Sequence, residues 1–382
     1  MKKLFYAGIC CLTLFEILNV YFIMPMPGSQ RMDSIHLAYF LYSWRWPLRI
    51  IFLACIIAGS PFVFKSKYWW MAGLSLVLTG VVAGLFNFKL SADKMFLQPR
   101  QVIMRDQTQN ELPGSRLVIG VQNNGEAKAY PISFLAYHHQ VLDQIGNEPV
   151  IVTYCSVCRT GRAYRPMVRG QLETFRLVGM DHFNAMFEDE TTHSWWRQVS
   201  GEAIVGELKG ERLPELETWQ LSLNQWFSLF PEGLVMQLDS SFSDHYDPDA
   251  KFERGLSEGD LTKRDSASWH EKSWVIGIET DEAAKAFDWN RLVEECIIND
   301  QVGSTPVVLA LADDGVSFVA YERPEGKLFT LEDGKLLKTD SIRYGFTGQN
   351  LKYPADRLNR VKASQEFWHS WLSFHPGTDT FR

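Results

Sequence analysis

The sequence predicts a chain in two parts: N-terminal transmembrane helices, then a β-rich, mainly antiparallel α+β soluble region made of two tandem copies of one unit. Three observations carry this. Apolar residues crowd in front of Lys89, although the mean hydropathy of the whole chain is only −0.14. Beyond that point, short apolar runs are separated by turn pairs such as Asn124-Gly125, the pattern of hairpins. The later part also resembles itself at a constant spacing. With 46% hydrophobic residues there is material for real cores, and a net charge of −7 excludes the basic face that nucleic acid needs.

Residues 4–24 are long enough to cross a bilayer, which takes about 20 apolar residues. Lys2 and Lys3 stand in front of this run as in a signal peptide. The run is too long for one, however, and MPMPGSQ follows where a small-residue cleavage site belongs, so an uncleaved helix is expected. Glu16 and Asn19 interrupt the run, which sets this helix against other helices. Residues 47–64 and 68–88 are the second and third spans, and IHLAYFLYSWRW between the first two reads as interfacial. Trp69 and Trp70 mark an interface, and Gly73, Gly80 and Gly84 are expected to allow close helix contact. With three spans, Lys2, Lys3, Lys65 and Lys67 share one side. The positive-inside rule then places the N-terminus in the cytoplasm and the chain after Lys89 outside it. In a two-membrane bacterium that means the inner membrane, with the soluble region in the periplasm and the lipid bilayer as one partner.

The internal match is specific. Residues 120–130 (GVQNNGEAKAY) read beside 277–287 (GIETDEAAKAF), and VLDQIGNEPVIVTY reads beside IINDQVGSTPVVLAL. Gly120 to Gly277 and Pro149 to Pro306 share one offset, 157 positions. After a shorter second loop, Trp226 to Pro231 (WFSLFP) matches Trp371 to Pro376 (WLSFHP). The expected organisation is a membrane region over 1–94, a first copy over 95–240, a polar linker over 241–272 and a second, degenerate copy over 273–382. Each copy reads as hairpins with short helices, one of them SLNQWFSLF ended by Pro231.

The chemistry gathers in the first copy. Cys155 and Cys158 follow the apolar strand PVIVTY, and Cys-x-x-Cys spacing brings two sulfurs within reach of one metal ion or one disulfide. The second copy provides a control: Ala312-Asp313-Asp314-Gly315 stands in the matching place, so the fold does not require the thiols. His138 and His139 face Glu295 and Cys296 and are likewise unshared, whereas Asp143 and Gly146 recur as Asp300 and Gly303 and read as structural. His138 is the candidate third ligand. Of Arg159, Arg162, Arg165 and Arg169, Arg159 adjoins Cys158 and is the candidate to favour thiolate. Asp189, Ser194 and Gln198 lie in a dense polar stretch and are candidates to support the ligands from outside. No GxGxxG, P-loop, HExxH or GxSxG pattern occurs, so no nucleotide cofactor is expected.

The stretch YPISFLAYHHQVLDQIGNEPVIVTYCSVCRTGRAY resembles a bacterial and archaeal family known as domain-of-unknown-function family 3179. The family pattern falls on Tyr137-His138 through Asp143, on Tyr154-Cys155-x-x-Cys158, on Asp189 through Gln198 and on Gly201-Glu202-Ala203-x-x-Gly206. The resemblance covers roughly 120–240. The chain departs from it at His139, where glutamate is usual, and at Leu142, where asparagine is usual. The resemblance implies which residues matter and brings no activity with it. From the residues, the first reading is an extracytoplasmic domain binding Zn(II) or Cu(I) through Cys155, Cys158 and His138, with an unidentified protein or metal partner. A thiol–disulfide oxidoreductase using the same cysteines is the alternative. A non-catalytic binding or assembly module, with the pair as a local staple, is the third.

Overall fold

The computed structural model describes residues 1–381; Arg382, the last residue of the expected second copy, lies outside the described residues. The chain divides into two compact units. One joins Met1–Leu97 with Glu173–Arg212; the other joins Gln98–Leu172 with the chain from Leu213 onward.

In the first unit, three helices among the described residues are long and apolar enough to cross a membrane: Lys2–Tyr21, Arg45–Phe64 and Trp69–Lys89. The interfacial stretch forms a short helix, Ile35–Ser43. The first helix is the buried one, with Phe5, Ile9 and Leu12 packed on Ile56, Val63 and Ala72. Glycines do allow a close approach, but not those expected. A Cβ on Gly8 would lie 2.9 Å from the Phe52 carbonyl, and one on Gly59 would lie 2.7 Å from the Phe5 backbone. Gly73, Gly80 and Gly84 have nothing within 4 Å of that position. Small residues help only on the face the bundle covers, and the third helix turns these three outward. Glu16 does face other helices. Its two oxygens accept from Arg49 at 2.8 Å each, and one accepts from Asn87 at 2.8 Å, so the charge is met inside the bundle.

The segment Glu173–Arg212 adds a four-stranded antiparallel sheet in the order Ala203–Val205, Trp195–Arg197, Asn184–Asp189, Phe175–Asp181. Met180 N–H donates to the Ile23 carbonyl at 2.7 Å, and Tyr42 donates to Glu188 at 2.9 Å. The sequence reads residues 161–179 as one hairpin. In the structure that hairpin is only Met167–Val168 against Gln171–Leu172, because Phe175–Asp181 finds a longer partner in Asn184–Asp189.

The second unit contains the same order of elements twice. Leu117–Asn123 pairs with Glu126–Pro131, then come the helix Ile132–His138 and the hairpin Gln140–Ile145 with Glu148–Cys155. Later, Trp274–Glu279 pairs with Ala284–Asp288, followed by Trp289–Glu295 and the hairpin Ile297–Val302 with Thr305–Leu311. Each first sheet is flanked antiparallel on one side, by Thr218–Ser222 or Lys362–Phe367, and parallel on the other, by Leu234–Met236 or Asp379–Phe381. Each short helix ends on a left-handed residue, His139 at φ 60° and Cys296 at φ 62°. Lys128 pairs with Asp143 at 3.4 Å, and Lys285 pairs with Asp300 at 2.5 Å.

The two sets share a core, in which Val118, Leu221 and Trp226 meet Val308, Val319 and Tyr321. The polar stretch 241–272 is mostly irregular, as its composition suggests, yet Phe242 and Tyr246 pack into the core around Phe134 and Leu135. Two glycines hold matching places. A Cβ on Gly120 would lie 2.2 Å from the Trp226 ring, and one on Gly277 would lie 2.1 Å from the Trp371 ring. Both rings are fully buried. Gly120→Ala and Gly277→Ala are each expected to cost about 1–3 kcal/mol through overpacking. Thermal unfolding of the full chain in detergent checks this, and a neutral result at either glycine would show that its ring can move aside.

Candidate functional site

The two cysteines lie at a hairpin turn. Cys155 ends the strand Glu148–Cys155 and is registered opposite Thr160, which opens the strand Thr160–Tyr164. The turn between them carries Cys158, and Arg159 closes it in a left-handed conformation, φ 61°. Both cysteines are fully buried, and no disulfide joins any two cysteines among the described residues.

The turn is held from outside the first set of elements. Phe367 N–H donates to the Cys158 carbonyl at 2.9 Å. Lys272 Nζ donates to the Val157 carbonyl at 3.0 Å and to the Leu261 carbonyl at 2.6 Å. His369 Nε2 lies 3.1 Å from that ammonium and 3.2 Å from the Val157 carbonyl. Burial lowers Lys272 to about 8, while the charges of Cys158 and Cys155 pull it upward. Burial, with Lys272 beside it, lowers His369 to about 4, so this imidazole is neutral at neutral pH. Tyr154, next to Cys155, is fully buried; its hydroxyl has no hydrogen-bond partner among the described residues, and burial raises its pKa.

The other candidates have partners of their own. His138 is fully buried, with Nε2 at 2.7 Å from the Tyr246 hydroxyl and its ring edge-on to Phe242. His139 Nδ1 lies 2.9 Å from the Tyr154 carbonyl, and burial lowers its pKa to about 4. Among the described residues, no group of three or more His, Cys, Asp or Glu side chains is arranged to hold a metal ion. The structure thus brings the two cysteines into one turn without adding His138 to them as a third ligand. Arg159 is 1% exposed and clamped by Gln365 Oε1 at 2.8 Å and the carbonyls of Phe252 and Glu253 at 3.1 Å each. Its guanidinium stacks over Trp274 at 3.8 Å, so it braces the turn.

Asp189, Ser194 and Gln198 belong to the other compact unit. Asp189 accepts from Ser194 N–H at 3.0 Å and from the Trp196 indole at 2.9 Å. Ser194 Oγ accepts from Leu208 N–H at 3.0 Å, and Gln198 accepts from Asn184 at 3.1 Å. These bonds shape the turn and strands of that sheet.

Sequence reasoning missed Lys272 and His369. Lys272 sits at the end of a stretch whose polarity reads as linker. His369 had a usable signal, since aligning Trp226 with Trp371 sets it opposite Asn224. The second set alone carries this histidine, as the first alone carries the thiols.

Helices of membrane length, a β-rich region and a buried thiol pair in a hairpin turn define a membrane-associated protein with two closely spaced cysteines. The chain belongs to the family described as "Protein of unknown function (DUF3179)", whose model matches residues 98–378. No curated protein and no solved structure matches it.

Proposed function

We propose that this is a membrane-anchored thiol–disulfide protein whose soluble region faces the extracytoplasmic side, with Cys155 and Cys158 as the redox pair. One observation carries the reading: Lys272 is anchored on the carbonyl inside the Cys-x-x-Cys turn, where its charge and those of the two sulfurs favour one another. A nearby ammonium lowers a thiol pKa and raises the thiolate fraction. Once the turn opens to expose the pair, the thiolate attacks a partner disulfide, protein or small-molecule, and a mixed disulfide forms while one partner sulfur leaves as thiolate. The second cysteine then closes the Cys155–Cys158 bond and releases the other partner sulfur. Two electrons pass to the partner and two protons leave the pair, so the exchange balances.

The repeated elements are read as a tandem duplication, 95–240 and 273–382 joined by 241–272. The matched Gly–Trp contacts, Lys–Asp pairs and left-handed helix ends support this. In this reading the first copy keeps the thiols, and His369 of the second copy, with Lys272 at the end of the joining stretch, holds them. Lys2, Lys3, Lys65 and Lys67 support an extracytoplasmic soluble region.

A second reading keeps the pair as a two-sulfur site for soft Cu(I), which thiolates select. The adjacent Lys272 ammonium would offset the charge of two thiolates. His138 and Zn(II) enter only if the Tyr246 contact opens.

Thiol trapping tests these readings in the full chain. Cys296 is exposed, so a membrane-impermeant maleimide added to intact cells is expected to modify it first and Cys155 and Cys158 slowly. Equilibration of the purified protein in glutathione buffers should convert the pair reversibly to a disulfide. In Lys272→Met the pH midpoint of the trapping rate should move up by about one unit, whatever the loosened turn does to the rate itself. A pair that stays reduced across all redox buffers, while taking up one Cu(I) per chain, would favour the second reading. Loss of that uptake in His138→Ala would restore the histidine as a ligand.

A further inference from the structure

The helical unit carries a half-open cavity of about 120 Å³, lined by Asn19, Tyr42, Arg45, Arg49, Asn87 and Arg176 together with apolar residues such as Ile23 and Phe86. That is several times the roughly 10–15 Å³ a single water needs. Its depth follows from the helix directions. Asn19 lies near the end of Lys2–Tyr21, Arg45 opens Arg45–Phe64 and Asn87 lies in the last turn of Trp69–Lys89. Antiparallel succession brings these three ends to one face of the membrane, at the level of the lipid headgroups. Trp44 and Trp46 are exposed there, as aromatic residues at that level commonly are.

The charges of the cavity are not all met from within. Arg49 is held by Glu16 and Asn87. Arg176 is paired with Glu188 at 2.8 Å and Asp93 at 3.9 Å. Among the described residues no carboxylate pairs with Arg45: Nη1 donates to the Tyr42 carbonyl at 2.7 Å, and the guanidinium lies 3.8 Å over the Tyr42 ring. Asn19 is 8% exposed, and its Oδ1 has no hydrogen-bond partner among the described residues. Such a buried acceptor is costly until a donor reaches it. A fitting ligand therefore carries an anion for Arg45 and an N–H or O–H for Asn19.

The geometry points to a phospholipid headgroup, its phosphodiester on Arg45 and a terminal amine or hydroxyl on Asn19. Its acyl chains would lie along the outward apolar surface that carries Ile50, Ile57 and Val77. Ethanolamine and glycerol headgroups supply the donor; a choline headgroup does not.

The test uses the full chain, stripped of lipid in neutral detergent and titrated with short-chain phosphatidylethanolamine, phosphatidylglycerol, phosphatidylcholine or inorganic phosphate. Thermal shift and native mass spectrometry report binding. The ethanolamine and glycerol lipids should bind more tightly than the choline lipid. Arg45→Gln should weaken all three about tenfold, the loss of one charged contact. Asn19→Ala should erase the preference over choline. If Arg45→Gln fails to fold, Arg45→Lys, which keeps the charge without the planar fork, should bind with intermediate affinity. Equal binding of the choline lipid by the unaltered chain, or unchanged affinity in the arginine variant, would overturn the proposal. Displacement of lipid by equimolar inorganic phosphate would assign the cavity to free phosphate instead.

Discussion

Glu366→Ala is expected to cost about 3–5 kcal/mol, because it strands a buried guanidinium. Glu366 is fully buried and accepts from Arg162 Nη2 at 2.8 Å, while Ser364 and Ser370 each donate to it at 3.0 Å. Burial alone would lower the Arg162 pKa; Glu366 and then Glu215 outweigh it and raise the value. The pair ties the strand that leaves the cysteine turn, Thr160–Tyr164, to the strand Lys362–Phe367, whose last residue bonds the Cys158 carbonyl. Its loss should therefore also speed trapping of Cys155 and Cys158. Urea unfolding of the full chain in detergent measures the first effect, and maleimide labelling measures the second. Replacing both partners, Arg162→Met with Glu366→Leu, should recover much of the stability, since an apolar pair leaves no charge uncompensated. A loss below about 1 kcal/mol in Glu366→Ala would mean that water or Glu215 already satisfies the arginine.

Acid should destabilise the same unit through its buried histidines. His139 and His369 are both lowered to about 4, chiefly by burial. The unfolded chain takes up these protons near pH 6.5, well before the folded one, so stability is full above that value and falls as pH drops toward 4. Each histidine should cost about 2 kcal/mol by pH 5. His139→Asn should remove about half of this slope, because asparagine tolerates the left-handed backbone at φ 60° and does not titrate. The melting temperature of the full chain, followed from pH 7 to pH 4.5, checks the sign. A flat profile, or an unchanged slope in His139→Asn, would place the protons elsewhere.

The membrane spans were legible because length and hydropathy are local properties. The expected 4–24, 47–64 and 68–88 lie within a few residues of Lys2–Tyr21, Arg45–Phe64 and Trp69–Lys89. Which glycines meet a neighbour was not legible, since that depends on how each helix is rotated in the bundle. The hairpin bearing the cysteines was legible from the run PVIVTY and the Cys-x-x-Cys spacing. The surroundings of Arg159 were not: adjacency to Cys158 suggested a thiol partner, yet its guanidinium reaches Gln365 and the carbonyls of Phe252 and Glu253.

The sequence by itself determined the membrane helices, the strand alternation, the repeated pattern of elements, the family and the position of the thiols. Each is written in short-range periodicity or in a spacing of a few residues. Only the tertiary structure decided what stands around the thiols. It brought Lys272 and His369 to the turn from far along the chain, turned His138 onto Tyr246, and set Asp189, Ser194 and Gln198 in the sheet of the other unit. Closing a long loop costs only logarithmically more than closing a short one, so distant partners are easily recruited and leave no local pattern behind.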